Sequence, residues 1–361
     1  MSYKYDSVGM ASSVLFSLVP FLFVSRERLF YLSSFASVFL MCLSYQASSG
    51  IYIMMVIITG LFWFLGNAGK TVKDILKFFV CSAVSYLLAT GFFYVLSSLL
   101  TSGTYRSTQL SLSPAVTLYN LGSYLGIILE DFNRLWLVLV VIVMILAVSA
   151  MVMNSRRGKV LSLCLSLFAC ASALVFSYGA YLFLESFAGS PRMMYGIGAF
   201  IALMANCAVT VADSRPIRIL FMVPVALLAW CFFSYAFIYG NSLGSQSEYE
   251  RHYENMILSD LNALFPEQPE KYELLISGTV GYSPLVAHVN DLYPINSRLV
   301  PVMLTASTWW WGGLRMAYYY SEAFEKPRES YVYDVEDYGL IKSTMSYDIL
   351  QNGNSILVKL K

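Results

Sequence analysis

The sequence predicts a polytopic α-helical membrane protein of about eight spans, followed by a small extracytoplasmic α+β domain. Three observations carry this. Only 12% of the 361 residues are charged and 58% are hydrophobic, against about 25% charged in an ordinary soluble domain, which excludes a soluble enzyme. The apolar residues gather into runs long enough to cross a hydrocarbon core of about 30 Å. The net charge of +1 resolves into +7 over residues 1–240 and −6 over residues 241–361, so the chain divides into a membrane part and a polar, acidic part at that point. A near-neutral total supplies no basic surplus for a nucleic-acid partner.

The predicted spans lie near 8–24, 29–45, 50–66, 78–100, 135–153, 160–184, 193–212 and 217–240. As one helix, the stretch from Leu29 to Leu65 would extend about 55 Å, too long for a single crossing. It is expected to fold back at Tyr45-Gln46-Ala47-Ser48-Ser49-Gly50, with Gly50 supplying a positive φ. Residues 115–129 (AVTLYNLGSYLGIIL) are apolar but reach only about 22 Å as a helix, and are read as an interfacial helix.

Orientation follows from the Lys/Arg bias of the short loops. One side receives Arg26, Arg28, Lys70, Lys73, Lys77, Arg156, Arg157, Lys159, Arg215 and Arg218, and the other only Lys4, Arg106, Arg134 and Arg192. The basic side is expected in the cytoplasm, which places both termini and the polar domain outside. Inserting residues 115–129 as a ninth span would cancel the bias.

Within residues 241–361, the segment 248–264 has apolar positions at helical spacing and is stopped by Pro266. Residues 273–280 read as a buried strand ended by the turn at Gly281, and 345–350 with 356–360 as a terminal hairpin. Trp309, Trp310 and Trp311, with Tyr318, Tyr319 and Tyr320, suit sugar stacking, interfacial anchoring or core packing. All six cysteines lie in apolar runs, and His252 and His288 stand 36 residues apart. Neither pattern makes a metal site or a disulfide framework.

Phosphate-loop, dinucleotide, nucleophile-elbow and zinc-helix signatures are absent from the sequence. The polar residues expected on the extracytoplasmic side are Asp6, Gln46, Arg106, Glu130, Asp131, Arg134, Glu185 and Arg192. Arg matches phosphate oxygens with its planar fork, and a carboxylate can take a proton from an acceptor hydroxyl. Arg106 and Arg192 are therefore candidate phosphate ligands, and Glu130 and Asp131 candidate bases. Glu130 and Asp131 also precede Arg134 at helical ion-pair spacing.

The segments LSYQASSGIYIMMV (43–56), SPRMMYGIGAF (190–200) and ELLISGTVGYSP (273–284) resemble stretches of the serotype-converting, O-antigen-modifying glucosyltransferases of bacteria and phages, which are polytopic inner-membrane proteins. The resemblance implies a C-type glycosyltransferase architecture. It also implies transfer of glucose from undecaprenyl-phosphate-glucose, a polyprenyl-phosphate sugar, to a lipid-linked O-antigen acceptor at the periplasmic face. By position, Tyr45 and Gln46 match the family's Tyr-Gln turn and Arg192 its Pro-Arg element, which makes these three substrate-binding candidates. Family members begin with additional helices and an early acidic periplasmic loop, so the chain reads as shortened at its N-terminus, with Glu130, Asp131 or Glu185 expected to replace the loop carboxylate. The competing readings are a transporter of a lipid-linked sugar and a non-catalytic remnant that binds a glycan or an assembly partner.

Overall fold

The computed structural model of the chain describes residues 6–100, 110–210, 215–265, 272–306, 311–320, 324–325 and 335–361. These are mostly helical, with one small sheet near the C-terminus. They form two units, Tyr3–Ser234 and Tyr235–Lys361.

The first unit holds α1 (Ser7–Leu18), α2 (Glu27–Ser44), α3 (Ser49–Gly66), α4 (Val72–Leu100), α5 (Pro114–Asp131), α6 (Arg134–Met153), α7 (Lys159–Phe176), α8 (Gly196–Val209) and the start of α9 (Arg215–Leu264). Its core is built from α3 (Ile51, Met54, Ile58), α6 (Leu139, Val143, Ala147), α7 (Ala169, Ala173) and α8 (Phe200, Met204). Small residues on α6 and α7 let these helices approach closely without a hydrophobic drive from solvent, as helix packing in lipid requires. The outward faces carry exposed Leu87, Phe92, Ile145, Phe168 and Trp230. An apolar surface of that extent on a monomer marks contact with something other than water.

Among the described residues, five helices are long and apolar enough to cross a membrane: Gln46–Gly66, Val72–Leu100, Arg134–Met153, Lys159–Phe176 and Pro216–Leu264. Three of the eight expected spans do not reach that standard. Ser7–Phe23 and Gly196–Val209 are apolar but short, and α8, with 14 residues, extends only about 21 Å. In α2, Glu27, Arg28 and the serines Ser33, Ser34, Ser37 and Ser44 dilute the apolar character. The expected span 160–184 is also too long, because α7 stops at Phe176 and a separate 3-10 turn, Gly179–Phe183, follows.

The fold-back between α2 and α3 lies where the sequence places it, but its mechanism differs. Tyr45 is extended, Gln46–Ser48 form one 3-10 turn, and Gly50 is already inside α3. Gly50 has no positive φ; a Cβ there would meet the carbonyl oxygens of Phe176 and Ser177 at 2.5 Å. It is glycine because the end of α7 presses against it, not because the turn needs a left-handed residue.

The opposite ends of α3, α6 and α7 are tied by Arg157. Its guanidinium packs 4.1 Å from the Phe64 ring centroid and donates to the carbonyls of Phe64 (3.0 Å), Asn67 (3.2 Å) and Lys70. Glu27 and Lys77 pair at 2.5 Å at the same end, so this end gathers the basic loops.

In the second unit, α9 continues without a break from residue 235 to Leu264, where a separate helix at 248–264 was expected. Nothing in Gly240-Asn241-Ser242-Leu243-Gly244 forbids helix, and Ser242 and Gln246 are buried on its inner face. The strands β1 (Tyr272–Ser277), β2 (Phe324–Glu325), β3 (Gly339–Ser343), β4 (Tyr347–Asn352) and β5 (Ser355–Leu360) form a sheet of order β2-β1-β5-β4-β3. β1 runs parallel to β2 and β5, and β3-β4-β5 are antiparallel. β1 ends at Ser277, earlier than the expected Val280. The expected hairpin is present as β4 and β5, with Leu350 opposite Leu357.

Alternation along the strands sends Leu274, Ile276, Ile349, Ile356 and Val358 onto Ile257, Leu258 and Leu261 of α9, while Leu275, Leu350 and Leu357 fill the other face. The short helices α10 (Pro284–Leu292), α11 (Ile295–Leu299) and α12 (Trp311–Tyr320) complete the unit. Beside them, Arg315 lies between Glu250 and Glu254: its Nη1 is 2.6 Å from Glu250 Oε2 and its Nε 2.7 Å from Glu254 Oε1. The second contact is a charge contact off the N–H axis, since neither atom makes a hydrogen bond. Both glutamates are 1% exposed at the side chain.

Candidate active site at the Asp6 end

Four segments converge at the end of the first unit away from Arg157: the start of α1, the α2–α3 turn, the turn after α7 and the turn before α8. A chain of hydroxyls holds three of them. Tyr195 Oη lies 2.6 Å from Ser48 Oγ, and Ser48 Oγ lies 2.6 Å from Ser13 Oγ. Ser17 Oγ donates to the Ser48 carbonyl at 3.1 Å. The fourth segment is joined by Ser49 Oγ, which accepts from the Ala180 amide at 3.0 Å. Gly179, at φ +61°, allows that approach, for a Cβ would sit 2.3 Å from Ser49 Oγ.

On this base stand the polar side chains. Asp6 occupies the N-cap position of α1, yet its carboxylate does not cap the helix. Instead Asp6 Oδ2 accepts from Arg192 Nη1 at 3.3 Å. An aspartate usually satisfies the first amides of the helix it precedes, so its diversion to Arg192 is a tertiary choice. Both side chains keep contact with solvent, at 46% and 38% exposure, and so remain reachable by a substrate. Arg192 is carried by the 3-10 turn Pro191–Met193, where Pro191 fixes φ at the first position. Tyr45 stacks on Tyr195 with ring centroids 6.2 Å apart, and Gln46 beside it is exposed. Tyr181, half-buried, is carried by the 3-10 turn Gly179–Phe183 that follows α7.

Tyr45, Gln46 and Arg192 are brought to one place. Glu130 and Asp131 end α5, Glu130 exposed and Asp131 half-buried. α6 begins only at Arg134 after the extended Phe132 and Asn133, so these acids and Arg134 do not share one helix. α5 itself is a packed buttress. Asn120 Nδ2 donates to the carbonyls of Leu182 and Leu184 (3.2 and 2.7 Å), and Tyr124 Oη lies 2.8 Å from Ser177 Oγ. Glu185 is exposed. Arg106 lies outside the described residues, as do Trp309, Trp310 and the side chains of Tyr318, Tyr319 and Tyr320. His252, His288 and Cys164 are exposed. Among the described residues no group of three or more His, Cys, Asp or Glu could hold a metal ion.

Sequence pattern alone assigns Asp6 no role, although its carboxylate meets Arg192. The available signal was that it is the acid immediately before the first apolar helix. An arginine and a carboxylate in contact, with aromatic walls and an exposed amide, can hold a phosphate and accept a proton from a hydroxyl.

The family model of Glucosyl transferase GtrII matches residues 1–203. The chain belongs to the GtrII glucosyl transferase family. The matched region contains every residue of the Asp6–Arg192 constellation, and the sheet of the second unit lies beyond it. Among curated proteins and among solved structures, nothing matches the chain.

Proposed function

We propose that this GtrII-type protein is a multi-pass protein of the bacterial inner membrane that moves glucose from undecaprenyl-phosphate-glucose to lipid-linked O-antigen at the periplasmic face. Residues 1–240 form its membrane domain and residues 241–361 a periplasmic domain. The Asp6–Arg192 contact carries this reading. It sits on the Lys/Arg-poor side of the chain, the side that the loop-charge rule assigns outside the cytoplasm. Family membership supplies the glucosyl transfer.

In the proposed reaction, Arg192 holds the donor phosphate and is drawn from Asp6 as the lipid binds. Asp6, released, takes the proton from the acceptor hydroxyl. The hydroxyl oxygen bonds to the anomeric carbon, the bond from that carbon to the phosphate oxygen breaks, and undecaprenyl phosphate leaves with its charge on Arg192. Tyr45, Gln46 and Tyr181 line the sugar. Arg106 is a further phosphate ligand in this reading. Glu130 and Asp131, at the end of α5, stand as the alternative bases.

Glycan analysis of cells with and without the protein tests the function. Added hexose on the O-antigen repeat is the expected result. Unchanged glycan, together with movement of a lipid-linked sugar across the bilayer, would instead support a transporter.

A further inference from the structure

The opposite end of the first unit holds a second constellation that glucosyl transfer does not use. A cavity of about 250 Å3 opens where α2 starts, α3 ends and α4 begins. Its floor is aromatic: buried Phe30 and Phe78 stack at 5.4 Å, flanked by the half-buried Tyr31 and Trp63. Its rim is charged, with Lys70 and Lys77 set among Glu27 and Asp74.

These groups retain bonding capacity. Lys70 Nζ stands 5.4 Å from the Trp63 ring centroid, and an ammonium carries three donors. Lys77 spends one of its three on Glu27 Oε1. Asp74 uses Oδ2 to receive the amide and hydroxyl of Thr71, both at 2.8 Å, which leaves Oδ1 for another donor.

The pattern selects a ligand class. Two cations and two carboxylates sum to zero, so an anion alone gains nothing from the whole rim. A purely apolar molecule would desolvate four charges while offering none of them a new partner. A molecule bearing both a phosphate and a primary ammonium satisfies each half: the phosphate on Lys70 and Lys77, the ammonium on Glu27 and Asp74 against the Trp63 and Tyr31 faces. The two helices that carry the rim also expose apolar side chains, Leu29 and Leu32 on α2 and Val72, Leu76 and Val80 on α4, surfaces along which chains attached to such a headgroup can lie.

We propose that this cavity binds the headgroup of an aminophospholipid through Lys70, Lys77, Glu27 and Asp74. The site is separate from the transfer chemistry, and either can fail without the other.

The test is lipid retention by the purified full chain after exposure to equimolar phosphatidylethanolamine, phosphatidylcholine and phosphatidylglycerol. Phosphatidylethanolamine should be retained about tenfold over the other two, the size of one hydrogen-bonded ammonium–carboxylate pair, which needs both a positive charge and an N–H donor and which neither the trimethylammonium nor the glycerol headgroup can form. The Glu27→Gln/Lys70→Gln variant, altered only at the cavity rim, should lose that preference. Equal retention of the three lipids, preference for phosphatidylglycerol, or an unchanged preference in the variant would overturn the proposal. Soluble phosphoethanolamine is the last arm: saturable binding of it, without lipid enrichment, would assign the cavity to a soluble ligand and overturn the membrane source.

Discussion

Arg192 Nη1 reaches Asp6 Oδ2 across 3.3 Å, joining residues 186 positions apart. If the contact serves chemistry, Asp6→Asn should lower glucosyl transfer by about 100-fold or more, and Arg192→Ala by a similar factor. The exchanged pair Asp6→Arg/Arg192→Asp separates chemistry from structure. It can restore the ion pair and normal membrane levels, yet should stay inactive in a membrane glucosylation assay, because the base and the phosphate ligand have traded places.

Tyr195→Phe removes one hydroxyl from the chain that connects Ser48 and Ser13 while keeping the ring against Tyr45. The loss of a partly buried hydrogen bond is worth about 1 kcal/mol. We expect a raised KM for the donor with a smaller change in kcat, since the turn bearing Tyr45 loosens while Asp6 keeps its carboxylate. Steady-state kinetics with the donor varied would show the split.

Arg315→Met leaves Glu250 and Glu254 buried without their cation. Removing one partner of a buried ionic cluster costs about 3–5 kcal/mol, so the second unit should exchange amide hydrogens much faster at β4 and β5. The double substitution Glu254→Gln/Arg315→Met should recover part of that protection, because one of the two stranded charges is gone.

Asp348 gives the second unit an acid-sensitive edge. Hydrogen bonds from Lys361 (2.7 Å) and Ser343 (2.6 Å) hold its carboxyl below the ordinary 3.8. The unfolded state therefore takes up the proton first as pH falls. The contribution of Asp348 is complete above pH 3.8 and is lost as pH drops through the lower folded value. Asp348→Asn should flatten that acid limb, with a change at neutral pH under about 1 kcal/mol because the group is near the surface. Unfolding midpoints across an acid pH series measure it.

The sequence shows most clearly what depends on neighbours along the chain. The apolar runs mark the cores of α3, α4, α6 and α7, and the polar interruption at 45–50 marks the fold-back. Asn352-Gly353-Asn354 marks the β4–β5 turn. What it hides depends on distant contact. Gly50 is glycine because of Phe176 and Ser177, 126 and 127 residues later. The continuity of α9 through residue 241 follows from burial of Ser242 and Gln246 in the second unit, which polarity along the chain cannot show. Asp6 looks like a terminal polar residue until Arg192 is brought to it, and Glu130 and Asp131 attract notice because two adjacent acids stand out by composition. Their position at the end of a buttressing helix is a tertiary fact.

The most direct measurement is transfer of labelled glucose from undecaprenyl-phosphate-glucose to lipid-linked O-antigen by membranes containing the full chain. Wild type, Asp6→Asn and Glu130→Gln/Asp131→Asn are compared at equal protein level. The account predicts transfer by the wild type, near-complete loss in Asp6→Asn and substantial retention in the Glu130→Gln/Asp131→Asn variant. Wild-type rates in Asp6→Asn, or loss confined to the Glu130→Gln/Asp131→Asn variant, would contradict it.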